Sequence, residues 1–173
     1  MAFKSLPDLE LLNQILEYDP VTGVMRHRYR DRSLFRAEHY QKAWNTKYAG
    51  KDIVATNWFG HLLVNINYVE FKAHRVAFKM YYGRDPVLEI DHINRIPSDN
   101  RICNLREVTR SQNQRNSRIR SDSKLGIKGV RMDRRKFIAR INVDGTNLYL
   151  GTFNTAAEAR IARVKAEAEL WTG

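Results

Sequence analysis

The chain has 173 residues, 43% of them hydrophobic, a composition typical of a folded protein with real cores and not of a disordered one. Thirty Lys and Arg against nineteen Asp and Glu give a formal net charge of +11, which favours a polyanionic partner, with nucleic acid ahead of a membrane. A single cysteine excludes an internal disulfide and a cysteine-based zinc cage, and we expect Cys103 to be a small core residue.

No stretch is long and apolar enough to suggest a bilayer span, and the N-terminus carries acids where a signal peptide would be apolar. These features predict a cytoplasmic protein without a membrane partner.

Residues 1–58 are interpreted as an N-terminal accessory region. A leucine-rich face predicts a short helix that Ser5 caps, and weak alternation over residues 24–30 suggests a strand. Residues 31–57 show no sustained period, so we expect loops there.

In residues 59–116 the apolar residues follow strand and helix spacing more clearly, and this segment is assigned to a central module. Alternating apolar residues predict a hairpin over 62–71, and helical spacing follows over 73–83. A short apolar run, 87–92, ends in an Asp–His pair, and a helix is expected over 104–116.

The last third begins after a polar, basic stretch, residues 117–125, which has the composition of a linker. Residues 126–173 predict three strands, with an Asp-Gly turn between the second and the third. Thr155 and Glu158 form a capping box that opens an Ala-rich helix. The fold class is therefore α+β, with a three-stranded antiparallel sheet packed on one helix at the C-terminus.

The Asp–His pair is suited to cutting a phosphodiester bond, which needs a base for a water proton and positive charge at the phosphate. An unperturbed histidine titrates at pH ~6.5, so His92 is expected to accept a proton at neutral pH and is the candidate base. Asp91, with Asn113 brought back from a helix, offers the oxygen ligands that Mg²⁺ prefers. Arg106 and Arg110 are interpreted as phosphate contacts, although they would also suit a solvated helix face.

At these positions the segment "EIDHINRIPSDNRICNLREVTRSQNQRN", residues 89–116, resembles the HNH nucleases of the phage and homing-endonuclease branch. The resemblance implies a ββα-metal fold in which Asp91 and Asn113 bind one divalent cation, Mg²⁺ or Mn²⁺. It also implies that His92 is the general base and that Asn104 is a structural brace.

The other histidines are given structural interpretations. His74 is expected to be a packed or hydrogen-bonded support, whereas His27, His39 and His61 are interpreted as surface or hairpin residues. An isolated Asp–His pair is common, so the hypothesis of a catalytic site depends on the asparagines that accompany it.

Successive side chains of a strand point to opposite faces, so the C-terminal strands are expected to have a core face and an outer face. The core face is expected to hold Val130, Met132, Phe137, Ala139, Ile141, Leu148 and Leu150. The outer face carries groups suited to base edges in a major groove: Arg131, Asp133, Arg140, Asn142, Asn147 and Tyr149. Phosphate contacts are expected from the turn and the linker: Arg134, Arg135, Lys136, Arg118 and Arg120.

"KGVRMDRRKFIARINVDGTNLYLGTFNTAAEA" resembles the APETALA2-type DNA-binding domain, in which outward strand residues contact the major groove. Together the two resemblances predict a homing-type endonuclease that cuts double-stranded DNA as a monomer or weak dimer. The alternatives are a non-catalytic DNA-binding regulator on an HNH scaffold and an RNA-binding protein. The RNA-binding alternative is disfavoured because no aromatic stacking motif of the usual modules is present.

Overall fold

The computed structural model describes residues 4–117, 119 and 123–171. It divides into two compact units, Met1–Arg110 and Ser111–Gly173, each described here by itself. The four-part division expected from the sequence stays a prediction. Arg118 and Arg120, expected to bind phosphates, lie outside the described residues.

The first unit begins with helix α1, Leu9–Ile15, followed by an antiparallel pair of short strands, β1 (Leu16–Tyr18) and β2 (Met25–His27). The helix starts later than expected, because the N-cap is Asp8 and the ladder opens with Leu12 N donating to Asp8 O. The prediction that Ser5 caps the helix is therefore wrong.

The prediction of loops over residues 31–57 is also wrong, because helix α2 spans Glu38–Tyr48. Its one buried residue is Gln41, so the helix has no apolar stripe that a pattern search would detect. Polar bonds hold it instead: the side-chain amides of Gln41 and Asn45 both donate to the carbonyl oxygen of Arg30, at 3.1 and 3.0 Å.

The predicted hairpin and helix of the central segment are confirmed. Strands β3 (Leu63–Ile66) and β4 (Val69–Lys72) are antiparallel, and helix α3 spans Ala73–Tyr82. The hairpin turn places Asn67 and Tyr68 in the left-handed region, with φ of 50° and 65°.

The Asp–His pair ends strand β5 (Glu89–His92), which pairs with β6 (Leu105–Val108). Helix α4, Arg110–Asn116, follows. The expected helix over 104–116 is thus wrong in its first half. Leu105 and Val108 are both buried, and their spacing of three residues fits a helix as well as it fits this short strand.

Buried residues from α1, the hairpin, α3 and β5–β6 form one core in this unit: Leu6, Leu12, Ile15, Leu16, Met25, Ile53, Val64, Ile66, Ala73, Val76, Ala77, Phe78, Ile90 and Leu105. Cys103 is exposed, so its assignment to the core was wrong.

The second unit contains the expected three-stranded antiparallel sheet, in the order β7 (Val130–Asp133), β8 (Lys136–Val143), β9 (Thr146–Phe153). Helix α5, Ala156–Leu170, opens with the predicted capping box of Thr155 and Glu158, which is confirmed.

The core of this unit centres on Val130, Ala139 and Ala159. Met132 and Leu148 were expected there, but they are 58% and 39% exposed. Both lie close to a hairpin turn, whereas Val130 and Ala139 pair with each other further along the β7–β8 ladder.

The described residues thus form five α-helices and four small antiparallel sheets, as the α+β class requires. The assignment of the central segment to the ββα-metal fold stays a prediction. Of the helices in the described part of the chain, none has the length and apolar character that crossing a bilayer demands.

Candidate functional site

The candidate site in the first unit lies where β5 ends. Asp91 and His92 are the last two residues of the strand, and both are buried, at 7% and 5% exposure. The chain then forms a loop over residues 93–101 and returns through a short 3-10 turn, Ile102–Asn104, to β6. The site is therefore built from two paired strands and the loop that joins them.

Asp91 is paired with Arg106, its direct neighbour across the β5–β6 ladder. Arg106 donates from Nε (3.0 Å) and Nη2 (2.8 Å) to the same oxygen, Oδ2 of Asp91. The carboxylate is buried and the guanidinium is 44% exposed, so the arginine balances a charge that has little contact with water. Arg106 was expected to contact a phosphate, and in this structure it contacts the carboxylate.

His92 is held in place by Asn100, whose residue exposure is only 1%. Nε2 of His92 lies 3.1 Å from Oδ1 of Asn100. This contact with a buried side chain fixes the orientation of the imidazole ring. The backbone carbonyl of Asn100 in turn accepts from the hydroxyl of Tyr18 at 2.7 Å.

Burial lowers the pKa of His92, and the hydrogen bond with Asn100 and the charge of Asp91 only partly oppose that shift. The imidazole is therefore neutral at pH 7, which is the form that accepts a proton. The fold therefore supplies the protonation state that a general base needs.

Asn104 ties the two ends of the loop together. Its Oδ1 accepts from the backbone N of Asn94 at 3.0 Å, and its Nδ2 donates to Oδ1 of Asn94 (3.0 Å) and to the carbonyl of Asp99 (2.8 Å). Arg101 donates from Nε and Nη2 to the two carboxylate oxygens of Asp99, at 2.8 and 2.6 Å. These bonds fix the loop that follows His92. The part of Asn104 in any reaction stays a prediction.

His61 and His74 lie against His92. The ring centroids are 5.0 Å apart for His74 and His92, 5.7 Å for His61 and His92, and 5.2 Å for His61 and His74. One nitrogen from each ring lies within 4.8 Å of the others, close enough to suggest a shared metal ion. Within the described part of the chain, Nδ1 of His61 and Nδ1 of His74 are buried without a hydrogen-bond partner.

His61 was expected to be a surface or hairpin residue, and it is half-buried beside the β3–β4 hairpin, whose register predicts its approach to His74. Leu63 pairs with Lys72 in β3–β4, and Ala73 N donates to Leu62 O one step further out. Extending the register by one more residue places His61 opposite His74. His27, for which the same two alternatives were expected, lies in β2 and is half-buried, with its ring packed edge-on against Trp44.

Asn113 and Arg110 lie on α4. Arg110 is exposed, as a phosphate contact would be, and Asn113 belongs to the second unit. The sharing of one cation by Asp91 and Asn113 stays a prediction.

The outer face of the second unit is polar and open. Asn142 is half-buried and donates to Oδ1 of Asn147 at 3.3 Å, and Arg140 pairs across the ladder with Tyr149. The remaining residues assigned to this face or its turn are exposed: Arg131, Asp133, Arg134, Arg135, Lys136, Asn147 and Tyr149. Their contact with DNA stays a prediction.

The candidate site thus consists of a buried Asp–His pair at a strand end and a braced loop beside it. A protein-family model described as HNH endonuclease matches residues 71–115, a stretch that runs from β4 into α4 and includes Asp91, His92, Asn104 and Asn113. The match supports an HNH nuclease domain in this part of the chain, and with it DNA as the substrate. No curated protein and no solved structure matches the chain.

Proposed function

We propose that the protein is a metal-dependent DNA endonuclease of the HNH homing type, with a separate sheet-based DNA-recognition domain. One observation carries the proposal: inside the segment matched by the HNH endonuclease family, His92 is buried, neutral and held in one orientation by the contact of its Nε2 with Asn100. A histidine held in this way is suited to take a proton from water next to a phosphate.

In the proposed reaction, Nδ1 of His92 accepts the proton of the attacking water. Asn100 keeps the ring in one orientation through Nε2, so the ring need not turn before the transfer. Asn104 does not contact the reacting atoms in this proposal. Its three hydrogen bonds hold the loop on which Asn100 lies. His92 is the catalytic residue, and Asn100 and Asn104 are positioning residues.

Asp91 and Asn113 are the proposed ligands of Mg²⁺ or Mn²⁺, one ion per site. A carboxylate and an amide oxygen fit a hard cation that keeps several waters. In the structure the buried carboxylate of Asp91 is paired with Arg106, so a cation would bind beside this guanidinium or replace it. A cation bound there would neutralise charge at the phosphate and at the leaving oxygen.

Recognition is assigned to the second unit, as in an APETALA2-type domain. Its outer face offers guanidinium, amide and hydroxyl groups on an antiparallel sheet, which suit the donor and acceptor pattern of the major groove. Arg134, Arg135 and Lys136, exposed where β7 turns into β8, would contact phosphates. Separate recognition leaves the central module to contact mainly the backbone.

The test is cleavage of long duplex DNA by the wild type and by His92→Ala, with Mg²⁺ or with EDTA, while a fluorescence assay follows DNA binding. We expect Mg²⁺-dependent nicks from the wild type and a loss of turnover of about 10²-fold or more in the variant, with binding retained. His39→Ala, which changes an exposed histidine of α2, is the matched control. Equal cleavage by wild type and His92→Ala would remove His92 from the proposed role.

The second candidate is a DNA-binding regulator that keeps the HNH scaffold without catalysis. The burial of His92 and the ion pair of Asp91 with Arg106 favour it, because both groups have structural partners already. The same assay separates the candidates. Tight DNA binding with no Mg²⁺-dependent cleavage on any duplex, including genomic DNA, would support the regulator.

A further inference from the structure

We propose that His61, His74 and His92 form a second metal site, suited to Zn²⁺ and separate from the oxygen ligands proposed for Mg²⁺. Zn²⁺ bound there takes a ring nitrogen of His92 and so suppresses cleavage. The binding site stands on the geometry of the three rings alone, and the suppression rests on the function proposed above.

The geometry is close to that of a three-histidine site. One nitrogen from each of the three rings lies within 4.8 Å of the other two. In a tetrahedral zinc site, with Zn–N bonds of ~2.0–2.1 Å, the ligand nitrogens are about 3.3 Å apart. To share one zinc ion, the three nitrogens would therefore have to approach one another by up to about 1.5 Å.

Chemistry also favours a soft metal at this cluster. Imidazole nitrogens bind Zn²⁺ well, whereas Mg²⁺ prefers oxygen. Nδ1 of His61 and of His74 are buried and have no hydrogen-bond partner within the described residues. His74 is 3% exposed, so its polar ring atom has little chance of a water partner. A metal ion would satisfy a nitrogen that the described residues leave without one.

Some charged groups around the cluster oppose the binding of a cation and others favour it. Lys72, exposed at the start of α3, is a cation that opposes metal binding, whereas Asp91 and Asp99 favour a positive charge at His92. The cluster itself contains no carboxylate, so a bound Zn²⁺ keeps its full charge and an open position for water. His61 is half-buried and provides the approach from solvent.

His92 belongs to both proposed sites, which makes Zn²⁺ a competitor of catalysis. Its Nε2 is engaged by Asn100 at 3.1 Å, so the metal would bind the nitrogen that is proposed to accept the water proton. A ring that ligates Zn²⁺ through Nδ1 has no lone pair left for that proton. Zinc and base catalysis at His92 therefore exclude each other.

Binding is tested on the full chain without DNA, by zinc titration against a chromophoric chelator and by the visible absorption of added Co²⁺. We expect one site in the wild type and in His39→Ala, and an affinity weaker by about tenfold or more in His61→Ala. His61 is chosen because it is half-buried, and circular dichroism checks that each variant is folded. Equal zinc affinity in His61→Ala and the wild type, or no zinc binding by the wild type, would overturn the site.

Suppression is tested by the ratio of cleavage rates with and without Zn²⁺, at constant Mg²⁺, within each variant. We expect the ratio to fall for the wild type and for His39→Ala, and to fall much less for His61→Ala. Zinc binding without any change in the wild-type ratio would overturn the suppression. Absence of Mg²⁺-dependent cleavage would instead contradict the proposed function, while the zinc titration would still decide the site.

Discussion

Arg106 donates two hydrogen bonds, at 3.0 and 2.8 Å, to a single carboxylate oxygen of Asp91. The two residues face each other across the β5–β6 ladder, so the pairing follows from the register of the strands. Asp91 is also the proposed ligand of the divalent cation. A guanidinium and a metal ion therefore have reason to compete for the same buried carboxylate.

Arg106→Gln tests that competition. We expect the variant to be less stable without metal by about 1–2 kcal/mol, because it leaves a buried carboxylate without its cation, and because the half-exposed arginine is partly screened by water. Added Mg²⁺ should stabilise the variant more than the wild type, since binding to the folded state alone adds stability. Urea denaturation with and without Mg²⁺ measures both effects.

Arg110→Gln, which changes an exposed arginine two residues after β6, is the matched control for that experiment. It should show the wild-type response to Mg²⁺. If Arg106→Gln gained no extra stabilisation from Mg²⁺, Asp91 would not be a site of competition between the arginine and the ion.

Asn104→Ala should destabilise the first unit by about 2–3 kcal/mol, because it removes three hydrogen bonds and leaves the backbone N of Asn94 and the carbonyl of Asp99 without a bond they now make. Asn65→Ala, an exposed change in β3, should stay within about 0.5 kcal/mol of the wild type. Urea denaturation compares the two. Equal losses of stability would show that Asn104 does not brace the loop.

Tyr68→Gly should stabilise the β3–β4 hairpin by about 0.5–1 kcal/mol, because Tyr68 has a φ of 65° and a side chain that is 99% exposed. Glycine adopts this conformation without a clash between Cβ and backbone. Tyr68→Ala keeps the Cβ and should bring no such gain. Thermal unfolding distinguishes the two variants, and a similar rise for both would contradict the conformational explanation.

Because of Asp99, the free energy of unfolding should depend on pH in the acid range. The hydrogen bonds from Arg101 lower the pKa of its carboxyl to about 2, against 3.8 for an ordinary aspartate. A lowered pKa in the folded state adds stability above the ordinary value and loses it as the pH falls from about 4 towards 2. We expect a contribution of about 1 kcal/mol, because solvent screens the half-exposed Arg101.

The measurement for Asp99 is urea denaturation of the wild type and of Asp99→Asn at several pH values between about 2 and 6. The difference between the two proteins should be largest at the upper end and should shrink as the pH falls. A difference that does not change over this range would mean that the carboxyl has no lowered pKa.

Some features of this protein were determined locally and could be predicted from the sequence alone. The β3–β4 hairpin, the three C-terminal strands and the capping box of Thr155 and Glu158 all depend on neighbours within a few residues. The Asp91–His92 pair at a strand end belongs to the same group, since an apolar run and the loop after it mark the place. Short-range propensities and turn chemistry suffice for such elements.

Other features were decided only by contacts between residues far apart in sequence. Helix α2 is held by hydrogen bonds from amide side chains to the carbonyl of Arg30. Its sequence has no periodic apolar residues from which the helix could be predicted. Residues 105–108 became a strand because β5 was there to pair with them. His61 joined His92, and Arg106 joined Asp91, because strand register sets which side chains meet, and register is a property of the assembled sheet.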